Sequence, residues 1–422
     1  MPLSRRITIF MIATLAFFVL GCSISGDEAA APEFALLSPD DTSAEIERTD
    51  PDSALANDPT SDAPTDLAVL DGGKTKVAVI LTAPTGESGW SFANNEARIA
   101  AQAATGIETD FTEVVSGDRA AFETAVQQFI DDGFTVIMTT SFDQAGATEQ
   151  LAADNPTIVF EHISGSTAND TNFGSSFGRM YQARYLAGMA AGVATESDRI
   201  GYVAAFPIPE VVRGINAFSL GAARTNPNSV VEVAWTNTWF DPSAEGSAAQ
   251  ELIDAGADVL TMHQESTATG LAITDAGGTF IGYHSDMSEP VGAYLTAPIW
   301  DWTPRYVAII ESAQDGSYTP QAWWGGMADG VVDIVIPDTS PAALPMRSTK
   351  QLIIDGKFDI FDSGLIIDQA GTAVIKDGII QVEILDPVDP SVVVAAPGDE
   401  IHDGVLLNMN FFVTNVVGSV DG

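Results

Sequence analysis

The sequence predicts an α/β protein made of two doubly wound lobes with a cleft between them. Three observations carry this. From Lys76 onward, short apolar runs alternate with helical-period segments. The alternation stops and restarts at Ile200. Turn and aromatic residues crowd the carboxyl end of almost every apolar run. Strand–helix alternation at this spacing means parallel sheets with helices on both faces. One large sheet is the alternative.

The elements follow in order. Lys76 to Leu81 is a strand, and Ser91 to Ala104 a helix with alanines along one side. Strand Phe111 to Val115, helix Asp118 to Asp131, strand Phe134 to Thr139 and helix Asp143 to Asp154 come next. Strand Thr157 to Glu161, strand Asn172 to Ser175 and helix Met180 to Ala194 complete the first set. The second set opens with strand Ile200 to Ala205 and helix Glu210 to Thr225. Between them lies Phe206-Pro-Ile-Pro-Glu210. Two prolines two apart fit neither a sheet nor a helix interior. They suit a strand-to-helix turn, with Pro209 at the helix start. Strand Val230 to Ala234, helix Ser243 to Ala255, strand Val259 to Met262, helix Ser266 to Ala276 and strand Thr279 to Tyr283 follow. Further on, Leu365 to Asp368 and Ala373 to Lys376 read as a hairpin about Gln369-Ala-Gly-Thr372.

The chain has 422 residues, 58 acids against 17 Lys and Arg, and a formal charge of −41. That balance argues against nucleic acid, whose phosphates need clustered bases. A single Cys excludes an intrachain disulfide or a cysteine metal cluster, and the four His are scattered. No metal or cofactor is expected. Neither a nucleophile elbow, a P-loop nor a G-x-G-x-x-G follows a strand, so no enzyme is expected either.

Arg5 and Arg6 precede an apolar run, Ile7 to Leu20, that is short for a membrane span. It ends Val19-Leu20-Gly21-Cys22, which looks like a bacterial lipobox with Cys22 as the lipidated residue. An ordinary signal peptide with an incidental Cys is the alternative. Residues 1–21 are then a lipoprotein signal peptide, and 22–74 the lipidated Cys plus an acidic tether without a persistent period.

Ligands of open α/β sheets bind beyond the carboxyl ends of the strands. The loops there offer Glu87 and Trp90, Ser141 and Phe142, Phe206, Trp239 and Asp241, His263, Asp286, and Trp300. Aromatics beside carboxylates suit a flat heteroaromatic ligand with N–H donors. A π-face stacks it, and a buried polar group rejects analogues that leave it unpaired. Packing against neighbouring loops is the structural alternative for any one of these aromatics.

The wording of several segments is that of a known group. These are Gly89-Trp90, Thr140-Ser141-Phe142, Phe160-Glu161-His162, Arg184-Tyr-Leu-Ala-Gly188, Gly201 to Phe218 and Asn226-Pro227. Others are Trp239-Phe-Asp-Pro242, Ala257-Asp-Val259, Gly282 to Met287 and Trp324-Gly-Gly326. From about Lys76 to Gly418 the chain resembles the basic membrane protein family of ABC-transporter substrate-binding lipoproteins, which includes purine-nucleoside receptors. The resemblance implies the type I periplasmic binding fold: two Rossmann-like lobes, three hinge crossovers and ligand in the cleft. It implies lobe 1 at 75–177 and 286–326, and lobe 2 at 178–285 and 327–422. It also implies an extracytoplasmic, lipid-anchored receptor, expected as a monomer, that hands its ligand to an ABC permease. A ligand-sensing lipoprotein for a signalling partner would look the same.

In nucleoside-binding relatives Glu87 falls on the base-reading acid of the first loop and Trp90 on its stacking aromatic. Trp239, ahead of Asp241-Pro242, falls on the second stacking aromatic, and Asp286 on an acid contacting ribose. The family's ribose-contacting Lys is Trp300 here, which favours a free purine base such as adenine over a nucleoside.

Overall fold

The structure is a computed structural model that describes residues 75–420 apart from positions 87, 116, 290, 293, 363 and 387–390. Cys22, the apolar run before it and the acidic tether lie outside the described residues.

The first sheet is built from β1 (Lys76–Leu81), β2 (Glu108–Glu113), β3 (Val136–Thr139), β4 (Val159–Ile163) and β5 (Phe173–Gly178). Between them run α1 (Gly89–Thr105), α2 (Arg119–Asp131) and α3 (Ala145–Asp154). Val77 through Leu81 are fully buried because helices cover both faces of the parallel sheet. Strand β2 begins three residues before its expected start at Phe111. Its acids hid it: β2 is an edge strand, and Glu108 and Asp110 point to solvent between inward residues.

The chain then enters the second lobe through α4 (Tyr181–Ala194). That lobe contains β6 (Arg199–Ala204), α5 (Pro209–Thr225), β7 (Val230–Trp235), α6 (Pro242–Asp254), β8 (Val259–His263), α7 (Ala268–Asp275), β9 (Thr279–Ile281) and β10 (Tyr294–Trp300). Helix α5 starts at Pro209, with the proline in its first turn. Helices α4 and α5 touch backbone to backbone. A Cβ on Gly188 would lie 1.9 Å from the Phe218 carbonyl oxygen, and one on Gly221 would lie 2.0 Å from that of Tyr185. Only glycine fits at either crossing point.

After β10 the chain returns to lobe 1 for α8 (Thr303–Asp315), which packs on α1, and β11 (Ala322–Gly325). It crosses once more to β12 (Val332–Val335) and α9 (Ala343–Ile354). The strand orders are β11-β5-β4-β3-β1-β2 and β12-β10-β9-β8-β6-β7, the second extended by Val416–Val417 at the β7 edge. All neighbours are parallel except β10 with β12. This is the type I periplasmic-binding-protein fold, with two lobed sheets joined by a hinge. One expected boundary moves. Residues 286–300 were expected in lobe 1, yet β10 pairs with β9, so the second crossover follows Trp300. The run Tyr294-Leu-Thr-Ala-Pro is continuous with the second sheet's apolar pattern and carries no break before Asp301.

The 365–376 hairpin forms as expected, Ile366 opposite Ile375. Beyond it, the C-terminal residues pack on lobe 2. Phe412 stacks on Trp235 at 6.3 Å, and the Arg213 guanidinium donates to the Leu406 carbonyl.

Candidate functional site

The carboxyl ends of both sheets meet across a narrow cavity. Lobe 1 supplies Thr82 after β1, Trp90 on α1, Thr140 to Phe142 after β3, Ser164 after β4 and Phe177 at the end of β5. Lobe 2 supplies Glu210 on the first turn of α5, Trp239 after β7, His263 and Glu265 after β8, and Tyr283 and His284 after β9. Parallel strands place these loops together without any help from sequence proximity.

The lobe 1 wall is mainly aromatic, with most of its cavity-lining polar side chains bonded to neighbouring protein groups and Thr82 Oγ1 unpaired among the described residues. The Trp90 indole N–H donates to the Thr140 carbonyl at 2.8 Å. Its ring meets Phe177 edge-on at 6.2 Å and the Trp300 and Trp302 rings at 5.7 and 5.8 Å. Trp300 and Trp302 stack at 4.6 Å behind it. Trp90 is only 6% exposed, so it belongs to the core as much as to the cleft. The Ser141 hydroxyl bonds the Asp143 carboxylate, and His162 Nδ1 pairs with the Thr139 hydroxyl at 2.7 Å.

The lobe 2 wall is polar and poorly satisfied. His263, Tyr283 and His284 form a ring cluster, with Tyr283 stacked on His284 at 3.7 Å. Neither nitrogen of His284, nor Nδ1 of His263, has a hydrogen-bond partner among the described residues. Burial holds both imidazoles well below the usual histidine pKa, reinforced by the nearby Arg184 charge. They are therefore neutral, able to donate and accept. Burial pushes Glu210 up to about 7, against the pull of Arg213 and Arg184. It pushes Glu265 up to about 8, against hydrogen bonds from α1. Ser164 and His284 both have left-handed backbones, φ 109° and 57°, a strain of roughly 1–3 kcal/mol each that concentrates at this site.

Ligand atoms of Glu210, His263 and His284 lie within 4.8 Å of one another, a spacing a cation could use. The Arg184 charge beside both imidazoles works against one. The same unpaired atoms serve a neutral ligand's polar edge equally well.

The expected residues separate into groups. Trp90, Ser141, Phe142, Trp239 and His263 line this one cavity. Phe206 stands behind Trp239, ring centroids 5.1 Å apart. Asp241 is placed elsewhere: it is the N-cap of α6 and accepts from the Ser243 and Ala244 amides. Asp286 and Trp300 border a separate hollow between α1 and the lobe 2 loops, so the Trp300 ring backs Trp90 and does not roof the cavity. Glu87 lies outside the described residues. Sequence reasoning set Glu265 and His284 in cleft-facing loops without choosing them as contacts, ranked Glu210 below the tryptophans, and passed over Tyr283 and Phe177. Glu265 and His284 directly follow buried strands, a signal that could have singled them out; Phe177 sits inside a strand and gave none.

Comparison with known proteins decides the family. The family described as ABC transporter substrate-binding protein PnrA-like matches residues 74–366. The chain belongs to this family. It is the substrate-binding component of an ABC importer, extracytoplasmic and not catalytic, and works with a membrane permease on a small molecule. It is 33% identical over 348 residues to the purine-binding protein BAB2_0673 of Brucella abortus, covering 81% of this chain and 93% of that one. It is 39% identical over 307 residues, 70% of this chain and 78% of the relative, to TsgA13 of Haloferax volcanii, an ABC transporter protein whose name provisionally gives glucose as its ligand. Among solved structures, a solute-binding protein of Conexibacter woesei superposes with TM-score 0.55 at 20% identity, covering 68% of this chain and 98% of that one. A transcriptional activator of the comK gene from Bacillus halodurans gives 0.58 at 21%, covering 67% and 99%. Transport and regulatory proteins share these coordinates, so that likeness carries the fold alone.

Proposed function

We propose that this family member captures a purine, the free base in preference to the nucleoside, and presents it to its permease from a lipid anchor at Cys22. The observation that carries the ligand class is the pairing of two walls. The Trp90 and Trp239 rings lie on opposite lobes, and Glu210, His263, Glu265 and His284 line the same cavity, with His263 Nδ1 and both His284 nitrogens unpaired among the described residues. A flat ring with N–H and ring-nitrogen edges satisfies both at once. The purine named for the Brucella relative points the same way.

The Haloferax relative's name favours a second reading, a hexose. Sugars also stack on tryptophan, but their hydroxyls need several ionised or amide acceptors. Burial instead holds Glu210 and Glu265 towards their neutral forms and both imidazoles neutral. Calorimetry with adenine, guanine, adenosine, guanosine and glucose separates these readings. Adenine is expected to bind tightest. Tighter adenosine moves the ligand to nucleosides, and a glucose heat without a purine heat removes the purine. For the anchor, Cys22→Ser should move the protein from membranes to the soluble fraction; retention on membranes defeats it.

A further inference from the structure

Helix α1 begins in an unusual way. Its N-cap residue, Ser88, makes no side-chain capping bond, and no acid lies in its first turn. The first amides of a helix need acceptors. Here they come from the opposite lobe. The Trp90 and Ser91 amides donate to Glu265 Oε2 at 3.1 and 3.2 Å, and the Gly89 amide donates to Ser285 Oγ at 2.7 Å. These partners are 174 to 196 residues apart in sequence.

Glu265 is 7% exposed and also lines the cavity. Both α1 bonds end on Oε2, while Oε1 makes no hydrogen bond among the described residues. Gly89 makes room for the carboxylate. Its φ is +95°, and a Cβ there would stand 2.8 Å from Oε2.

We propose that Glu265 joins ligand capture to lobe closure, with Oε2 clasping α1 across the cleft and Oε1 carrying a hydrogen bond to the polar edge of a planar heteroaromatic ligand. This rests on the purine reading of the cleft. With the lobes apart, the carboxyl is wet and α1 lacks its cap. With them together, the helix dipole and two amides meet an acceptor on lobe 2. That same carboxyl is then held still for the ligand, whose bond to it is the differential contact that favours the closed form. An aromatic wall alone would bind a flat ring without reporting its arrival to the other lobe.

The test uses adenine as probe, with calorimetry for affinity and small-angle scattering for contraction. Glu265→Met keeps the side chain's length but gives α1 no oxygen acceptor and the ligand no hydrogen bond. It should lower adenine affinity at least tenfold and contract less at saturation. Gly89→Ala leaves the ligand face intact and pushes Oε2 away. It should lower affinity several-fold and contract less at saturation. In the double variant the two losses should fall short of adding, because they act on one carboxyl. Glu265→Asp, too short to reach both sides, stands in if the Met variant does not fold in a thermal melt. Met-variant affinity within twofold of wild type, full contraction by Gly89→Ala, or simple additivity overturns the proposal. A wild type that binds no purine fails at an earlier step: it removes the purine reading, and this proposal with it.

Discussion

The two walls of the cleft are built on different principles. On lobe 1, the Trp90 indole, the Ser141 hydroxyl and His162 Nδ1 are tied to neighbouring protein groups, and only Thr82 Oγ1 among the cavity-lining side chains is buried and unpaired among the described residues. On lobe 2, His263 and His284 keep nitrogens unpaired and two carboxyls are pushed towards neutrality. A satisfied wall is rigid and indifferent to a ligand's edge. An unsatisfied one costs stability until something completes it. Affinity for any flat ring belongs to the first wall, discrimination to the second.

The sharpest way to break this contrast is Trp90→Ala. Because the indole is almost fully buried among Phe177, Trp300 and Trp302, its loss should cost roughly 3–5 kcal/mol of stability as well as ligand affinity. Thermal denaturation beside calorimetry checks it, and an unchanged melting temperature would mean the lobe 1 wall is not structural.

Trp239→Ala tests the other aromatic. This ring is half-buried, so it should lose about 1–3 kcal/mol of adenine binding, or roughly 5- to 150-fold, with little loss of stability. Unchanged affinity would leave stacking to Trp90 alone.

A pH titration sharpens the lobe 2 side. In the closed cleft Glu210 and Glu265 hold protons up to about 7 and 8. Opened to water they should return toward the ordinary carboxyl value of about 4.3. The closed form therefore binds protons more tightly, and closure loses support as pH rises. Adenine affinity should fall from about pH 4.5 upward, by at most about tenfold per unit for each group, the Glu210 share ending near 7 and the Glu265 share near 8, and level off above. Calorimetry in buffers of different ionisation heat should show proton uptake on binding. Affinity rising with pH over this window would reverse the assignment.

The smallest expected effect is at Asp241→Ala, which removes two capping bonds from α6. It should cost about 1 kcal/mol of stability and leave adenine affinity unchanged. A large binding loss would return Asp241 to the site.

Much of the fold was readable because it is repetitive. Apolar strands end in turns, and Pro209 announces a helix start whatever surrounds it. The exceptions have local causes. The start of β2 was hidden by edge-strand acids, and β10 was assigned to the wrong lobe because a strand's sequence does not name its partner. The site was less legible. Trp90, Ser141, Phe142, Trp239 and His263 stood out as aromatics or polar groups at strand ends. Glu265 did not, because its importance comes from amides 174 and 175 residues away. Trp300 fell on a ligand-contacting position by resemblance, yet stacking on Trp302 sets it behind Trp90.

The glycine contact between α4 and α5 has a mechanical consequence. Backbone pressed on backbone has no side chain to yield between the two helices. Helix α5 carries Glu210 at the floor of the cavity, and α4 begins three residues after β5 ends, at the first crossover. A push on the floor thus reaches the hinge through a stiff lever. Such a lever would let lobe 2 turn as one body when the cleft closes.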